Sequence, residues 1–178
     1  VKSANAITIA SSSVTSGTTI VHAVQGVDLS GMWTSYGTVT VTSIQAGVAI
    51  NNDMTTTGTS KDVIISGNAS VGDITLVGAR SFTTTGMVVI AGYTITTNTT
   101  TIDATGDVSI TATDTWTANA GNITITTAGA ATIDGHVTTT SSGGIMINTA
   151  NALTIADQKT LTSVDGLDIV SASIVSGT

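Results

Sequence analysis

Four aspartates in the second half of the chain are the residues best suited to chemistry. Asp103, Asp107 and Asp114 lie close together in the sequence, and Asp134 follows about one repeat later. Clustered carboxylates of this kind perform acid–base work in enzymes that cleave polysaccharides, usually beside a basic partner. The chain offers little to complete such a site, because it contains no Glu and its single Arg is Arg80.

The same aspartates are also well placed for turns. Asp107 directly follows Gly106, and Asp134 directly precedes Gly135, and Asp beside Gly is common in turns because its side chain bonds the nearby backbone. All eleven acidic residues are Asp, which favours turns, whereas Glu favours helix surfaces. We therefore predict that the chain is not an enzyme and has no catalytic residues. A β-helix enzyme that degrades polysaccharide is kept as an alternative.

Asp103 and Asp107 also raise the question of calcium, since they offer two carboxylates four residues apart. The sequence contains neither the G-G-x-G-x-D repeat of calcium-stacked coils nor an EF-hand loop. A solvated pair is the simpler interpretation, and the sequence does not decide between the two. His22 and His136 each lack a second ligand at metal spacing, and His136 follows Gly135 at a predicted corner, so we interpret them as solvated turn histidines. No metal or other cofactor is predicted.

The elements that would position these residues are short repeated strands. Residues 122–166 contain two copies of one unit, offset by about 22 residues, so that Ile123 falls on Ile145 and Ile125 on Ile147. Apolar residues alternate with Thr or Ser over three to five positions between Gly, Asn and Asp, which predicts strands separated by turns. Irregular spacing elsewhere predicts a loop insertion within residues 61–80 and a shortened coil within residues 107–121.

The predicted fold is therefore all-β. It is a single-stranded parallel β-helix, or β-solenoid, with about 20 to 24 residues per coil, roughly seven or eight coils and no substantial helix. Residues 1–178 form one solenoid segment, which we interpret as an interior part of a longer chain or as a subunit that stacks end to end. Neither residues 1–10 nor residues 167–178 look like a cap, so self-association through the end coils is expected.

Composition supports a narrow interior and limits the partners. The chain is 40% hydrophobic but only 3% aromatic and 8% charged, and 39 of its residues are Thr. Small and β-branched side chains are expected to fill the interior, with the five aromatic residues in corners or loops; these are Trp33, Tyr36, Phe82, Tyr93 and Trp116.

A net charge of −7 argues against nucleic acid as a partner. The sequence has no long apolar run, so no membrane insertion is expected.

Three threonine triplets, residues 55–57, 83–85 and 138–140, recur before a glycine. Alternate hydroxyls of such triplets would line one flat face, and a regular Thr-x-Thr array resembles the face of solenoid ice-binding proteins. The triplets are unevenly spaced, so we interpret them as strand-forming residues of an irregular outer wall. Ice binding is kept as an alternative function.

Three segments resemble the haemagglutinin-type repeats of filamentous-haemagglutinin-like bacterial adhesins of two-partner secretion. They are GDVSITA at residues 106–112, GNITITTAGAATIDG at 121–135 and NALTIADQKTLTSVDG at 151–166. The resemblance implies a right-handed parallel β-helix, a cell-surface or secreted location in bacteria, and a role in adhesion.

The expected function is accordingly structural and adhesive. Such a solenoid would extend a surface or attach to a glycan or protein of a host or another cell, through many weak contacts of its Thr- and Asn-rich outer wall. The alternative within the same class is a self-assembling extracellular filament subunit. The sequence names no receptor.

Overall fold

The computed structural model describes residues 1–177, and these are all-β, with 60% of the chain in strands and no helix among them. The strands are β1(Lys2–Ser3), β2(Ile7–Ser16), β3(Thr19–Ala23), β4(Val27–Ser35), β5(Val39–Ser43), β6(Val48–Asn51), β7(Met54–Thr56), β8(Val63–Ser66), β9(Ile74–Leu76), β10(Arg80–Thr84), β11(Val88–Gly92), β12(Ile95–Thr97), β13(Thr100–Ala104), β14(Val108–Ala118), β15(Ile123–Thr127), β16(Ala131–Thr139), β17(Ile145–Thr149), β18(Ala152–Ile155), β19(Leu161–Thr162), β20(Leu167–Val170) and β21(Ser173–Ser176).

All strand pairs are parallel, and they fall into three columns that run along the stack. Column 1 contains β1, β3, β5, β8, β11, residues 108–112 of β14, residues 131–134 of β16, β18 and β21. Column 2 contains residues 7–10 of β2, residues 27–30 of β4, β6, β9, β12, residues 115–118 of β14, residues 136–139 of β16 and β19. Column 3 contains residues 13–16 of β2, residues 32–35 of β4, β7, β10, β13, β15, β17 and β20.

The chain visits the columns in the order 1, 2, 3 and then begins the next coil. Successive coils are about 21 residues apart and form a solenoid of about eight turns, which confirms the predicted fold class. The predicted offset of residues 122–166 is also confirmed, because Ile123 pairs with Ile145 and Ile125 with Ile147.

The irregular spacing has two outcomes. The insertion lies where it was predicted: β8 and β9 are separated by residues 67–73, and Thr56 is 28 residues before its hydrogen-bonded neighbour Thr84. The predicted shortened coil at residues 107–121 is wrong. In that stretch β14 passes from column 1 to column 2 without a break, and Asp107 still bonds Ala130 23 residues later.

One glycine lets the chain turn within a strand. At Gly31, between the column 2 and column 3 parts of β4, φ is +95°, and a Cβ atom would lie 1.7 Å from the Ser11 carbonyl oxygen. Only glycine combines that conformation with so close an approach to the adjacent coil.

The inward-facing side chains of the three columns form one continuous hydrophobic core. Each of them stacks on its equivalent in the next coil. In column 1, Val39, Val63, Val88 and Val108 lie in register and are at most 1% exposed. Alternate residues point outward, as the period of two requires. Each inward residue therefore packs against similar residues in the coils above and below, and the same packing contacts recur in every coil.

The expectation for the aromatic residues is only partly met. Trp33, Phe82 and Trp116 do not lie in corners or loops; they are core residues, at most 2% exposed. Ala112 and Ala118 point inward in the same coil as Trp116 and leave room for its indole, whose Nε1 donates to the Thr97 hydroxyl over 3.2 Å. The interior is thus wider than small residues alone would need, and it is filled by pairing large side chains with small ones.

A line of buried hydroxyls closes the corner after column 3. Ser35 donates to the Gly17 and Gly37 carbonyls over 2.6 and 2.8 Å, and Thr56 and Thr84 are bonded to each other over 2.8 Å. Thr149, further along the same line, donates to the Asn151 carbonyl over 2.6 Å. These hydroxyls bond turn carbonyls, which have no strand partner in the corner.

We predict that Phe82→Ala destabilises the solenoid by about 3 to 5 kcal/mol, because it leaves a cavity in the buried file of column 3. Tyr36→Ala is the matched control: its ring is 63% exposed, so the change should stay within about 0.5 kcal/mol. Urea unfolding followed by circular dichroism measures both. Equal midpoints for the two variants would contradict the core assignment of Phe82.

Candidate functional site

The four aspartates singled out in the sequence fall at two corners of the solenoid. Asp103 and Asp107 lie at or beside the corner between columns 3 and 1, and Asp114 and Asp134 lie at the corner between columns 1 and 2 on adjacent coils. Asp103 is an exposed residue of β13 in column 3, Asp107 lies in the turn from column 3 to column 1, and Asp114 lies between the two halves of β14. Asp134 ends the column 1 part of β16. Within residues 1–177, no three His, Cys, Asp or Glu side chains come together in a way that could hold a metal ion.

Asp107 already has a hydrogen-bonding role. Its Oδ1 accepts the backbone N–H of Ala130, in the next coil, over 2.8 Å. Asp62 accepts the Met87 N–H over 2.9 Å and Asn122 accepts the Gly144 N–H over 2.8 Å, in the same position just before a strand. We call these three contacts corner bridges. Each adds a side-chain bond between coils beside a backbone bond to the same residue, for example Val108 N–H to the Ala130 carbonyl.

The corner bridges give a structural role to the polar residue of Gly106-Asp107-Val108 and of Gly121-Asn122-Ile123. A short side chain at the end of a turn places its oxygen beside the amide of the adjacent coil, and Asn serves as well as Asp because both present an Oδ1 acceptor. Asp107 and Asn122 therefore act as equivalents. The turn interpretation of Asp107 is confirmed, and the bonded carboxylate belongs to the scaffold.

The basic residue that an enzyme would need is engaged elsewhere. Arg80 Nη1 lies 3.8 Å from Asp53 Oδ1, and the same oxygen accepts the Ser81 N–H over 2.9 Å. The Arg80 guanidinium also donates through Nε to the Val77 carbonyl. These contacts hold the segment before β10 against column 3.

The threonine triplets do not line one face. Residues 55–57 and 83–85 lie in or beside column 3, whereas residues 138–140 lie in or beside column 2. The middle residue of each triplet, Thr56, Thr84 or Thr139, points inward and is at most 3% exposed. The interpretation of the triplets as an irregular outer wall is therefore incomplete, because their central hydroxyls belong to the interior.

A regular array exists in column 2, where sequence reasoning missed it. Thr94 and Thr96 flank inward Ile95, and Thr115 and Thr117 flank inward Trp116. The coils that follow repeat the pattern with His136 and Thr138, and then with Thr160 and Thr162. In the sequence, this array corresponds to a polar-apolar-Thr unit that recurs once per coil. The unit is hard to recognise because its apolar residue is different in each coil.

An open groove lies at the corner between columns 1 and 2 in the first half of the chain. Gln25 and Gln45, from adjacent coils, line it together with Asp28, Asp73 and Val71, a residue of the inserted segment that is 61% exposed. Amides and carboxylates beside an apolar edge can hydrogen-bond the hydroxyls of a sugar and pack against its carbon face.

His22 and His136 lie in strands, not in turns. His22 pairs with Lys2 and Thr42 in column 1, and His136 pairs with Thr115 in column 2. Both are partly exposed, and His136 Nδ1 lies 3.1 Å from the Thr160 hydroxyl. Strand residues of a parallel stack point outward at every second position, and both histidines occupy such positions.

Comparison with known proteins gives no relative: no family model, no curated protein and no solved structure matches the chain. No helix able to cross a membrane is found among residues 1–177.

The corner bridges predict a graded effect of substitutions at Asp107. Asp107→Ala should lower the free energy of unfolding by about 1 kcal/mol, because the Ala130 N–H loses its acceptor. Asp107→Asn should remain close to the parent, since Asn122 makes the same contact. Urea unfolding midpoints measure both, with Asp103→Ala as the control in an exposed strand position.

The same proteins test calcium. We expect added Ca²⁺ or a chelator to leave the midpoints of the parent and of Asp103→Ala unchanged. A calcium-dependent rise in the parent that disappears in both Asp103→Ala and Asp107→Asn would show instead that the two carboxylates bind the ion.

Proposed function

We propose that this chain is a structural and adhesive β-solenoid of a bacterial surface or secreted protein, and that it is not an enzyme. The observation that carries the proposal is the continuous stack of about eight coils whose bridging carboxylates bond backbone amides of the next coil. A rod of this kind extends a surface without chemistry of its own. The resemblance of residues 106–112, 121–135 and 151–166 to adhesin repeats supports the same function.

The charge distribution is compatible with contact to neutral partners. The net charge of −7 comes from eleven Asp against four basic residues, which disfavours polyanions such as nucleic acid. Most outward strand positions are Thr, Ser or Asn, which can exchange hydrogen bonds with hydroxyl-rich ligands. Each contact is weak, so attachment by this wall depends on many contacts made at once.

Within this function, the groove beside Gln25 and Gln45 is the contact site for a neutral glycan. Gln25 and Gln45 occupy equivalent positions of successive coils, so their backbones are one strand separation, about 4.8 Å, apart. Their exposed side-chain amides can reach neighbouring hydroxyls along a sugar chain. Val71, at the border, supplies apolar contact for the face of a ring.

We predict that beads coated with residues 1–178 attach to a printed array of neutral glycans, and that Gln25→Ala with Gln45→Ala reduces the attachment at least about tenfold through lost multivalent hydrogen bonds. Asn119→Ala with Asn148→Ala, at exposed positions elsewhere, is the matched control. The count of retained beads after washing, at several coating densities, is the measurement.

Either of two outcomes would contradict the proposal. Parent beads retained no better than uncoated beads, on the array and on a layer of cultured epithelial cells, would overturn the adhesive function. Equal retention of both double variants would move the contact away from the groove.

A filament subunit is the second candidate, in which a coil of another copy covers the end coil. Leu167 and Ile174 occupy core positions of the last described coil but are 48% and 56% exposed, whereas their stacked equivalents, Ile145 and Leu153, are at most 1% exposed. A coil of a second copy, added in register, would cover them and pair the open strand edges.

Negative-stain electron microscopy over a concentration series tests the filament. Stacked copies should appear as unbranched fibres of uniform narrow width that lengthen with concentration, and Leu167→Lys with Ile174→Lys should abolish them by burying charge at the junction. Short single rods at every concentration would contradict end-to-end stacking. The variant Met146→Lys, exposed on the side of column 3, serves as the control.

A further inference from the structure

One outward surface of the solenoid is more regular than the others. It consists of two lines of side chains on column 2, which we call the threonine face: Thr94, Thr115, His136 and Thr160 in the first line, and Thr96, Thr117, Thr138 and Thr162 in the second. Seven of these eight side chains are Thr. The face spans four successive coils, from β12 to β19.

The fold fixes the spacing of this face in two directions. Successive coils are joined by parallel pairing, so neighbours within a line are about 4.8 Å apart, and the two lines, two residues apart on each strand, are about 6.6 Å apart. The register is unbroken, because Thr96 pairs with Thr117, Thr117 with Thr138, and Thr138 with Thr162. Threonine is branched at Cβ and has few χ1 rotamers, so its hydroxyl and methyl group are held in place.

The hydroxyls of the second line are available to an external ligand. Thr96, Thr117 and Thr138 make no hydrogen bond to any residue of the part of the chain that the structure describes, and all three are half-exposed. The inward hydroxyls of Thr84 and Thr149, by contrast, donate to backbone carbonyls. The second line thus presents unbonded hydroxyls, whereas in the first line Thr94 donates to Asp73 and Thr160 is bonded to His136.

The face lacks the features by which proteins recognise an irregular partner. Its eight side chains include no carboxylate, Lys or Arg, and Trp116 points inward beneath it. Exposed Tyr93 and Asp114 lie beside the first line, and Asp73 bonds Thr94 at its end. Protein interfaces depend on aromatic and charged anchors in pockets. A flat, neutral array that repeats in two directions instead matches a ligand that is itself a repeating lattice of hydrogen-bonding groups.

We infer that the threonine face binds the surface of ice, a property separate from the adhesive function proposed above. Water molecules held by evenly spaced hydroxyls and bordered by methyl groups would be ordered as in the crystal, and would join the face to the growing lattice. Because the side chains are already fixed, little conformational entropy is lost on binding. Each hydroxyl contributes weakly, and the hydroxyls of one rigid face act together.

The test measures ice recrystallisation inhibition and thermal hysteresis on the purified chain. Thr96→Lys with Thr117→Lys places two bulky charges in the second line and should reduce both activities at least about tenfold. Ser109→Lys with Thr132→Lys is the matched control, since these residues are paired neighbours facing outward in column 1; it should keep the parent activity. Circular dichroism and urea midpoints establish that both variants are folded.

A gain-of-function variant makes the test independent of folding losses. His136→Thr completes the first line, so it should raise thermal hysteresis above that of the parent. A parent chain without recrystallisation inhibition, or equal loss of activity in the two double Lys variants, would overturn the inference. Binding of the parent to insoluble chitin without activity on ice would also overturn it, since the face would then serve a crystalline polysaccharide. None of these outcomes depends on attachment through Gln25 and Gln45.

Discussion

The parallel hydrogen-bond ladder between coils is the interaction on which the rest of the structure depends. It fixes the separation of successive coils and keeps equivalent residues in register, so that Val88 stacks on Val63 and Val108 on Val88. That register buries the apolar side chains of the core and aligns the outward side chains of each column. A slip of one residue in any coil would turn its inward residues to solvent and interrupt every line at once.

At the corners, short polar side chains add to the backbone hydrogen bonds that join one coil to the next. Asp62, Asp107 and Asn122 hold amides of the next coil from outside, while Ser35 and Thr84 bond turn groups from inside. Polar residues on both sides of the wall therefore have a structural role in the turns. These side chains hydrogen-bond defined backbone groups of the turns. A carboxylate beside Gly is therefore weak evidence for catalysis in this chain.

The sequence predicted the fold well because a solenoid repeats its constraints. The alternation around Ile123 and Ile145 sets strand type, coil length and register together, and the structure confirms all three. It predicted side-chain partners poorly. Trp33 and Trp116 were assigned to corners because composition says nothing about local width, and the threonine face was missed because its lines join residues about 21 apart. Adjacent triplets such as residues 83–85 are conspicuous in the sequence, but neighbours in the chain point to opposite sides of the wall.

The corner bridges and the ladder connect each coil only to the coils beside it, and this determines how the rod responds to mechanical load. A force applied to the two ends peels coils away one at a time, because no contact of the stack spans more than its neighbours. Each coil released adds about 21 residues, or about 70 Å of extended chain. A stack built this way lengthens in steps under load and dissipates work at every step.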